Sequence, residues 1–161
     1  MAIAPGSKLP HAKFKTMTGT GPTEVSAEEF FAGKKVALFA VPGAFTPTCH
    51  AQHLPGYLQH AAEFKAKGVD LIACTAVNDV FVLDAWGKAS GAGDTVTFLA
   101  DGNGDFAKAI GLEMDGSPIG FGIRSKRYAM LVDDGVVKAL HIETQPGVAQ
   151  ESSAERLLAD L

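Results

Sequence analysis

The chain has 161 residues, which at that length predicts one domain spanning 1–161. Surface scaling leaves roughly 69% of the unfolded chain's area buried, enough for a core without staples. A hydrophobic content of 47% with 20% charged residues excludes disorder, and a net charge of −4 argues against nucleic-acid binding by counterion release.

In chain order, residues 13–18 read as a first strand, and Ser26-Ala27-Glu28-Glu29 as the capping box of a short helix. Lys35–Val41 reads as a buried strand stopped by Pro42-Gly43. A helix then begins near Thr46-Pro47, because proline suits a first helical position, and runs to Gly68. Pro55 lies inside it and should break or kink it. Val69–Val77 is the next strand. Asn78 is expected to cap a helix reaching about Ser90, with Phe81, Leu83, Ala85 and Trp86 as packing positions. Thr95–Ala100 follows as a strand and Gly104–Ile110 as a short helix. Tyr128–Val132 and Val136–Ile142 flank Asp133-Asp134-Gly135, a hairpin signal. Ser152 or Ser153 caps a final helix. Strand–helix alternation followed by a hairpin and a helix implies an α/β fold, a central mixed sheet with helices on both faces. The thioredoxin-like fold has this order.

Only two cysteines occur, Cys49 and Cys74. That excludes a disulfide scaffold, a cysteine-rich zinc module, a CxxC redox pair and a CxxCH haem site. Structural thiols or single-cysteine chemistry remain. The only basic cluster is Arg124, Lys126 and Arg127, too small for a nucleic-acid stripe. No apolar run approaches the ~20 residues that span a bilayer. The first residues lack the apolar stretch of a secretory signal, so the cytoplasm is the default expectation.

Cys49 falls in the first turn of the helix that follows a buried strand, the end of an α/β sheet where ligand sites gather. Unpaired backbone N–H groups there favour a thiolate. An unperturbed cysteine is only a few per cent ionised at neutral pH, and full activation takes about 3–4 kcal/mol. A helix start contributes at most about 2 kcal/mol, so a second positive group is needed. Arg127 and Arg124 are the candidates. The competing reading, a small buried hydrophobe, stays open on these grounds alone.

The run PGAFTPTCHAQHLPGY resembles the active site of peroxiredoxins, with Pro42, Thr46 and Cys49 matching P-x-x-x-T-x-x-C. The form PGAFTPxC followed by HLPGY is similar to the type II, or peroxiredoxin-5, subfamily. CTAVNDVFVLDAWGKA, FLADGNGDFAKAIGL and KRYAMLVDDGVVKAL agree with it, so the likeness covers the chain from about Gly6 to Leu161. The resemblance implies a thioredoxin-like peroxidase that reduces hydrogen peroxide and alkyl hydroperoxides without metal, haem or flavin. Cys49 would be the peroxidatic nucleophile and become a sulfenic acid. Thr46 would bond the sulfur and the peroxide, Pro42 would shield the cysteine, and Arg127, in Lys126-Arg127-Tyr128, would match the family arginine. A homodimer is also implied.

The stretch from Thr144 to Ser152, where some members carry a resolving cysteine, has none. Cys74, in the apolar strand LIACTAV, is the one internal alternative and reads first as a core thiol. An external thiol, glutathione with glutaredoxin or else thioredoxin, is the expected reductant. His53 reads as a structural or hydrogen-bonding residue before it reads as a base. Cys49-His50-x-x-His53 lacks the second ligand cluster of a zinc site. Gly102-x-Gly104 reads as a turn and Trp86 with Phe81 as core. Phe45, Phe121 and Leu54 are candidates for pocket, dimer contact or core. A thiol transferase and a redox-sensing interaction protein are the alternative functions. Disulfide reduction without peroxide would mark the first, and fast Cys49 oxidation without turnover the second.

Overall fold

A computed structural model describes residues 2–145 and 147–161; Pro146 lies outside them. Seven strands form one mixed sheet in the order β2-β1-β5-β4-β3-β8-β9, with β1 at Lys13–Thr18, β2 at Gly21–Ser26, β3 at Lys35–Ala40, β4 at Leu71–Ala76, β5 at Thr97–Ala100, β8 at Tyr128–Asp133 and β9 at Val136–Ile142. The central β5, β4 and β3 are parallel, and the outer pairings are antiparallel. A separate two-stranded ribbon joins β6 (Glu113–Asp115) to β7 (Ile123–Ser125).

Alternation along β3 makes two cores. Val36, Leu38 and Ala40 face α1 (Ala27–Phe31) and α5 (Asp105–Ala109) through Phe30, Phe31, Phe106 and Ile110. Ala37, Phe39 and Val41 face α2 (Leu54–Gln59), α3 (Ala61–Ala66), α4 (Val80–Ala89) and α6 (Ala154–Leu158). Both faces of the central strands are therefore covered, as parallel strands require. On the second face Phe39, Tyr57 and Phe64 stack in a column, with centroids 4.0 and 5.6 Å apart.

Several local expectations hold. Ser26 accepts from the Glu29 N–H at the start of α1. Asp134 and Gly135 both take positive φ, 48° and 79°, which the tight β8–β9 turn demands. Ser153, rather than Ser152, caps α6 by accepting from the Arg156 N–H.

Other expectations are corrected. Asp79 caps α4 by accepting from Val82 N–H, because the Asn78 side chain is engaged by the Ala44 N–H at 3.0 Å. Of the packing positions expected on α4, Leu83 and Trp86 are buried, while Ala85 is exposed and Phe81 is 64% exposed. Pro55 does not break its helix. The preceding residues, Cys49–His53, form a wider π turn in which the Leu54 N–H reaches the Cys49 carbonyl, and Pro55 enters α2 in its first turn, where its missing N–H costs least. The interruption comes later, at His60. Strand β2 and the β6–β7 ribbon are additions that the sequence pattern does not predict.

Candidate active site

Strand β3 ends at Ala40, and the chain turns through Pro42-Gly43 into a helix that starts at Pro47. Phe45 occupies the left-handed region, φ 64°, in that turn. The first helical hydrogen bond runs from the His50 N–H to the Thr46 carbonyl at 2.9 Å. Thr46 is thus the N-cap position and Cys49 stands three residues in, among the N–H groups that a helix start leaves without internal partners.

Sheet register delivers the cation. Ala40 pairs with Tyr128, so the residue before Tyr128 lies beside the end of β3. That residue is Arg127. Its side chain is buried, and Nη2 donates to Cys49 Sγ at 3.1 Å. Arg124, the other candidate, is directed elsewhere. It donates to the Phe121 carbonyl at 2.9 Å and to the Pro42 carbonyl at 3.3 Å, and lies over the Phe121 ring. A Cβ at Gly43 would come within 3.1 Å of both Arg124 Nη1 and Thr46 Cγ2, so a larger residue here would press on the arginine and the turn. The two arginines divide: one faces the sulfur, the other holds the turn above it.

Thr46 departs from the expected contact. Its hydroxyl donates to the Gly43 carbonyl at 2.6 Å, which pins the turn, and it is not bonded to the sulfur. The hydroxyl oxygen keeps acceptor capacity. Pro42, Thr46 and Arg127 line one cavity of about 690 Å³ whose other walls include Met114, Ile119, Phe121 and Ile142. Cys49 itself has no exposed surface.

His53, expected as a structural or hydrogen-bonding residue near the site, has a definite place in the structure. Arg127 Nη1 donates to its Nδ1 at 3.0 Å. Guanidinium has no acceptor, so Nδ1 bears the lone pair and Nε2–H donates to the Ser152 carbonyl at 2.9 Å. Burial first, and the Arg127 charge second, push its pKa down to about 3, so the ring is neutral. Tyr57 also donates to the Ser152 carbonyl, at 2.9 Å. His50 turns the other way: its Nδ1 accepts from Trp86 Nε1 at 3.1 Å, and its ring lies against Phe45. Among the described residues no group of His, Cys, Asp and Glu is arranged to hold a metal ion, and no helix is long and apolar enough to cross a membrane.

Of the other candidates, Leu54 is core, Phe121 lines the cavity and Phe45 is half exposed. Cys74 lies on β4, opposite Phe39, and is fully buried in the same core as Cys49. Among the described residues its sulfur reaches only the Thr75 carbonyl, at 4.0 Å. Burial pushes this thiol well above its usual range, and Cys49 pushes it the same way.

Residues 4–158 match the Redoxin family model. The chain is 48% identical to peroxiredoxin-2E, chloroplastic, of Arabidopsis thaliana, over 99% of its length and 70% of that protein's. It is 51% identical to peroxiredoxin-2E-2, chloroplastic, of Oryza sativa, over 99% and 72%. Among solved structures, reduced Prx3 of Vibrio vulnificus in complex with hydrogen peroxide superposes with a TM-score of 0.92 at 53% identity, covering 98% of each chain. These relatives overturn the expectation of a cytoplasmic protein, since two of them are named as chloroplastic. That expectation rested on a missing apolar leader, and organelle transit peptides are not apolar leaders.

Proposed function

This chain belongs to the peroxiredoxin family, in its type II branch, and is a thiol peroxidase; from that premise we propose that Cys49 is the nucleophile, Arg127 its activating cation, Thr46 the group that seats the peroxide and Pro42 the one that shields the cysteine. The observation that carries the assignment is the 3.1 Å bond from Arg127 Nη2 to Cys49 Sγ at a helix start. The guanidinium and the helix N–H groups together supply the stabilisation that neither supplies alone.

The thiolate attacks one peroxide oxygen in line with the O–O bond. An S–O bond forms, the O–O bond breaks, and the departing hydroxide or alkoxide takes a proton. Charge spreads over both oxygens in this displacement; Arg127 and the free N–H groups of the helix start supply donors and a positive field where it develops, and the Thr46 hydroxyl oxygen accepts from the peroxide O–H. Cys49 is left as a sulfenic acid. Hydrogen peroxide and alkyl hydroperoxides are the substrates, the apolar walls at Met114, Ile119, Phe121 and Ile142 accepting the organic group.

An external thiol condenses with the sulfenic acid and releases water, and a second thiol then frees Cys49. Glutathione with glutaredoxin is the favoured reductant and thioredoxin the alternative. Support comes from the sealed position of Cys74 and from the lack of a third cysteine. In a homodimer, exposed Phe45, Ile119 and Ile123 offer the apolar contact. Single-turnover peroxide consumption by Cys49→Ser and Cys74→Ser tests the nucleophile. Retained consumption by Cys49→Ser would remove the assignment. Steady-state turnover with the two reductant systems side by side tests the recycling step.

A further inference from the structure

The Arg127 guanidinium carries two observed side-chain contacts, the Cys49 sulfur and His53 Nδ1, and among the described residues it forms no ion pair with a carboxylate. Its orientation therefore depends on His53. The ring in turn is anchored through Nε2–H to one backbone carbonyl, that of Ser152. That carbonyl also accepts from the Tyr57 hydroxyl at 2.9 Å, and the segment that carries it is held by a side chain just past the end of β9. Glu143 Oε2 accepts from the Ser152 N–H at 2.9 Å and from the Ser152 hydroxyl at 2.6 Å, and Oε1 accepts from the Glu151 N–H at 3.0 Å. The Glu143 backbone N–H, meanwhile, donates to the Arg127 carbonyl at 2.9 Å. One residue thus holds both ends of the chain of contacts: the backbone of the arginine, and the strap to which the arginine's partner is tied.

We propose that Glu143 is a positioning residue for the peroxidase reaction: its carboxylate fixes the Ser152 carbonyl, which fixes the His53 tautomer with its lone pair toward Arg127, which aims the guanidinium at Cys49. The inference rests on the assignment of Cys49 and Arg127 made above. Glu143 acts without touching sulfur or peroxide. A carboxylate placed directly on the guanidinium would compete with the thiolate for its charge; one placed three contacts away orients it and leaves the charge to the sulfur. Burial by itself would raise the Glu143 carboxyl, but the bonds from Ser152 and its neighbours outweigh that and hold it below the usual range, so the clamp is ionised at neutral pH.

The test measures the second-order rate constant for peroxide and the pH midpoint of Cys49 thiolate formation, followed by ultraviolet absorbance in a Cys74→Ser background. Glu143→Gln places amide hydrogens against N–H donors and should lower the rate constant about tenfold, as loss of an outer-shell orienting partner does, with the midpoint moving upward. Glu143→Asp keeps the acceptors and should recover much of the rate. In a His53→Asn background, Glu143→Gln should add no further loss. Ser152→Ala, which removes one of the three clamp bonds and leaves the carboxylate in place, should lose about two- to threefold and serves if Glu143→Gln does not fold. The proposal is overturned if these variants keep the parent rate and midpoint, if the rate falls with the midpoint unmoved, or if the losses at Glu143 and His53 simply add. If Cys49→Ser still consumes peroxide, the assignment of the nucleophile fails, a separate outcome from failure of the clamp.

Discussion

Cys49 and Cys74 are equally inaccessible to solvent and sit in the same core, yet their surroundings differ in kind. Cys74 is in the middle of a parallel strand whose backbone groups are used by the sheet, with one distant carbonyl for its sulfur. Cys49 stands where a helix has N–H groups to spare, with a guanidinium 3.1 Å away. Burial without a partner makes a thiol inert, as the upward push on Cys74 shows. Burial beside a fixed cation concentrates that cation's effect, because little water screens it. The contrast is set by local topology, not by depth.

The largest expected effect breaks this contrast outright. Cys49→Ser should lose about a thousandfold or more of the peroxide rate, as removal of a nucleophile does, while Cys74→Ser should keep the parent rate within about twofold. Next comes Arg127→Ala, expected to lose about a hundredfold, the size seen for one preorganised donor. Its pH midpoint for thiolate formation should rise, leaving Cys49 more like Cys74; an unchanged midpoint would show that the helix start suffices alone.

Acid sensitivity sharpens the same contrast through His53. Its pKa is about 3 in the fold against 6.5 when free, so the unfolded chain binds more protons between those values. Stability should be full above about pH 6.5 and fall progressively as pH drops toward about 3. Urea midpoints measured across that window should decline less steeply in His53→Asn. An equal decline would place the acid sensitivity elsewhere. The smallest effect concerns Cys74 as packing. Cys74→Ser buries a hydroxyl with a poor acceptor and should cost about 1–3 kcal/mol of stability, with Cys74→Ala costing less, read from denaturant midpoints at unchanged peroxide rate.

Much of this was legible from local chemistry. Pro47 at a helix start, Asp134-Gly135 in a tight hairpin and the placement of Arg127, rather than Arg124, beside the Cys49 sulfur all depend on short runs or on a family pattern carried by contiguous residues. What escaped depends on partners far away in sequence. Asn78 is a good helix cap by type, but a backbone N–H from Ala44 claims its side chain. Phe81 looks like core from its apolarity, and the phase set by Leu83 and Trp86 turns it outward. His53 finds its partners at Arg127 and Ser152, and the Glu143 clamp closes on a strap beyond the end of β9; no spacing rule connects those positions. The π turn is invisible to a 3.6-residue period, although Pro55 just after it was the trace it left. The Thr46 hydroxyl, expected on the sulfur, spends its proton on Gly43, a choice made by the turn rather than by residue type.

The central claim is that Cys49, and not Cys74, is the thiol that peroxide oxidises. Treating the reduced protein with one equivalent of hydrogen peroxide in the presence of a dione probe for sulfenic acid, then locating the adduct by peptide mass spectrometry, tests it most directly. The expected result is an adduct on the Cys49 peptide with Cys74 unmodified and reduced. An adduct on Cys74, or a dominant loss of two hydrogens from the monomer marking a Cys49–Cys74 disulfide, would contradict the account.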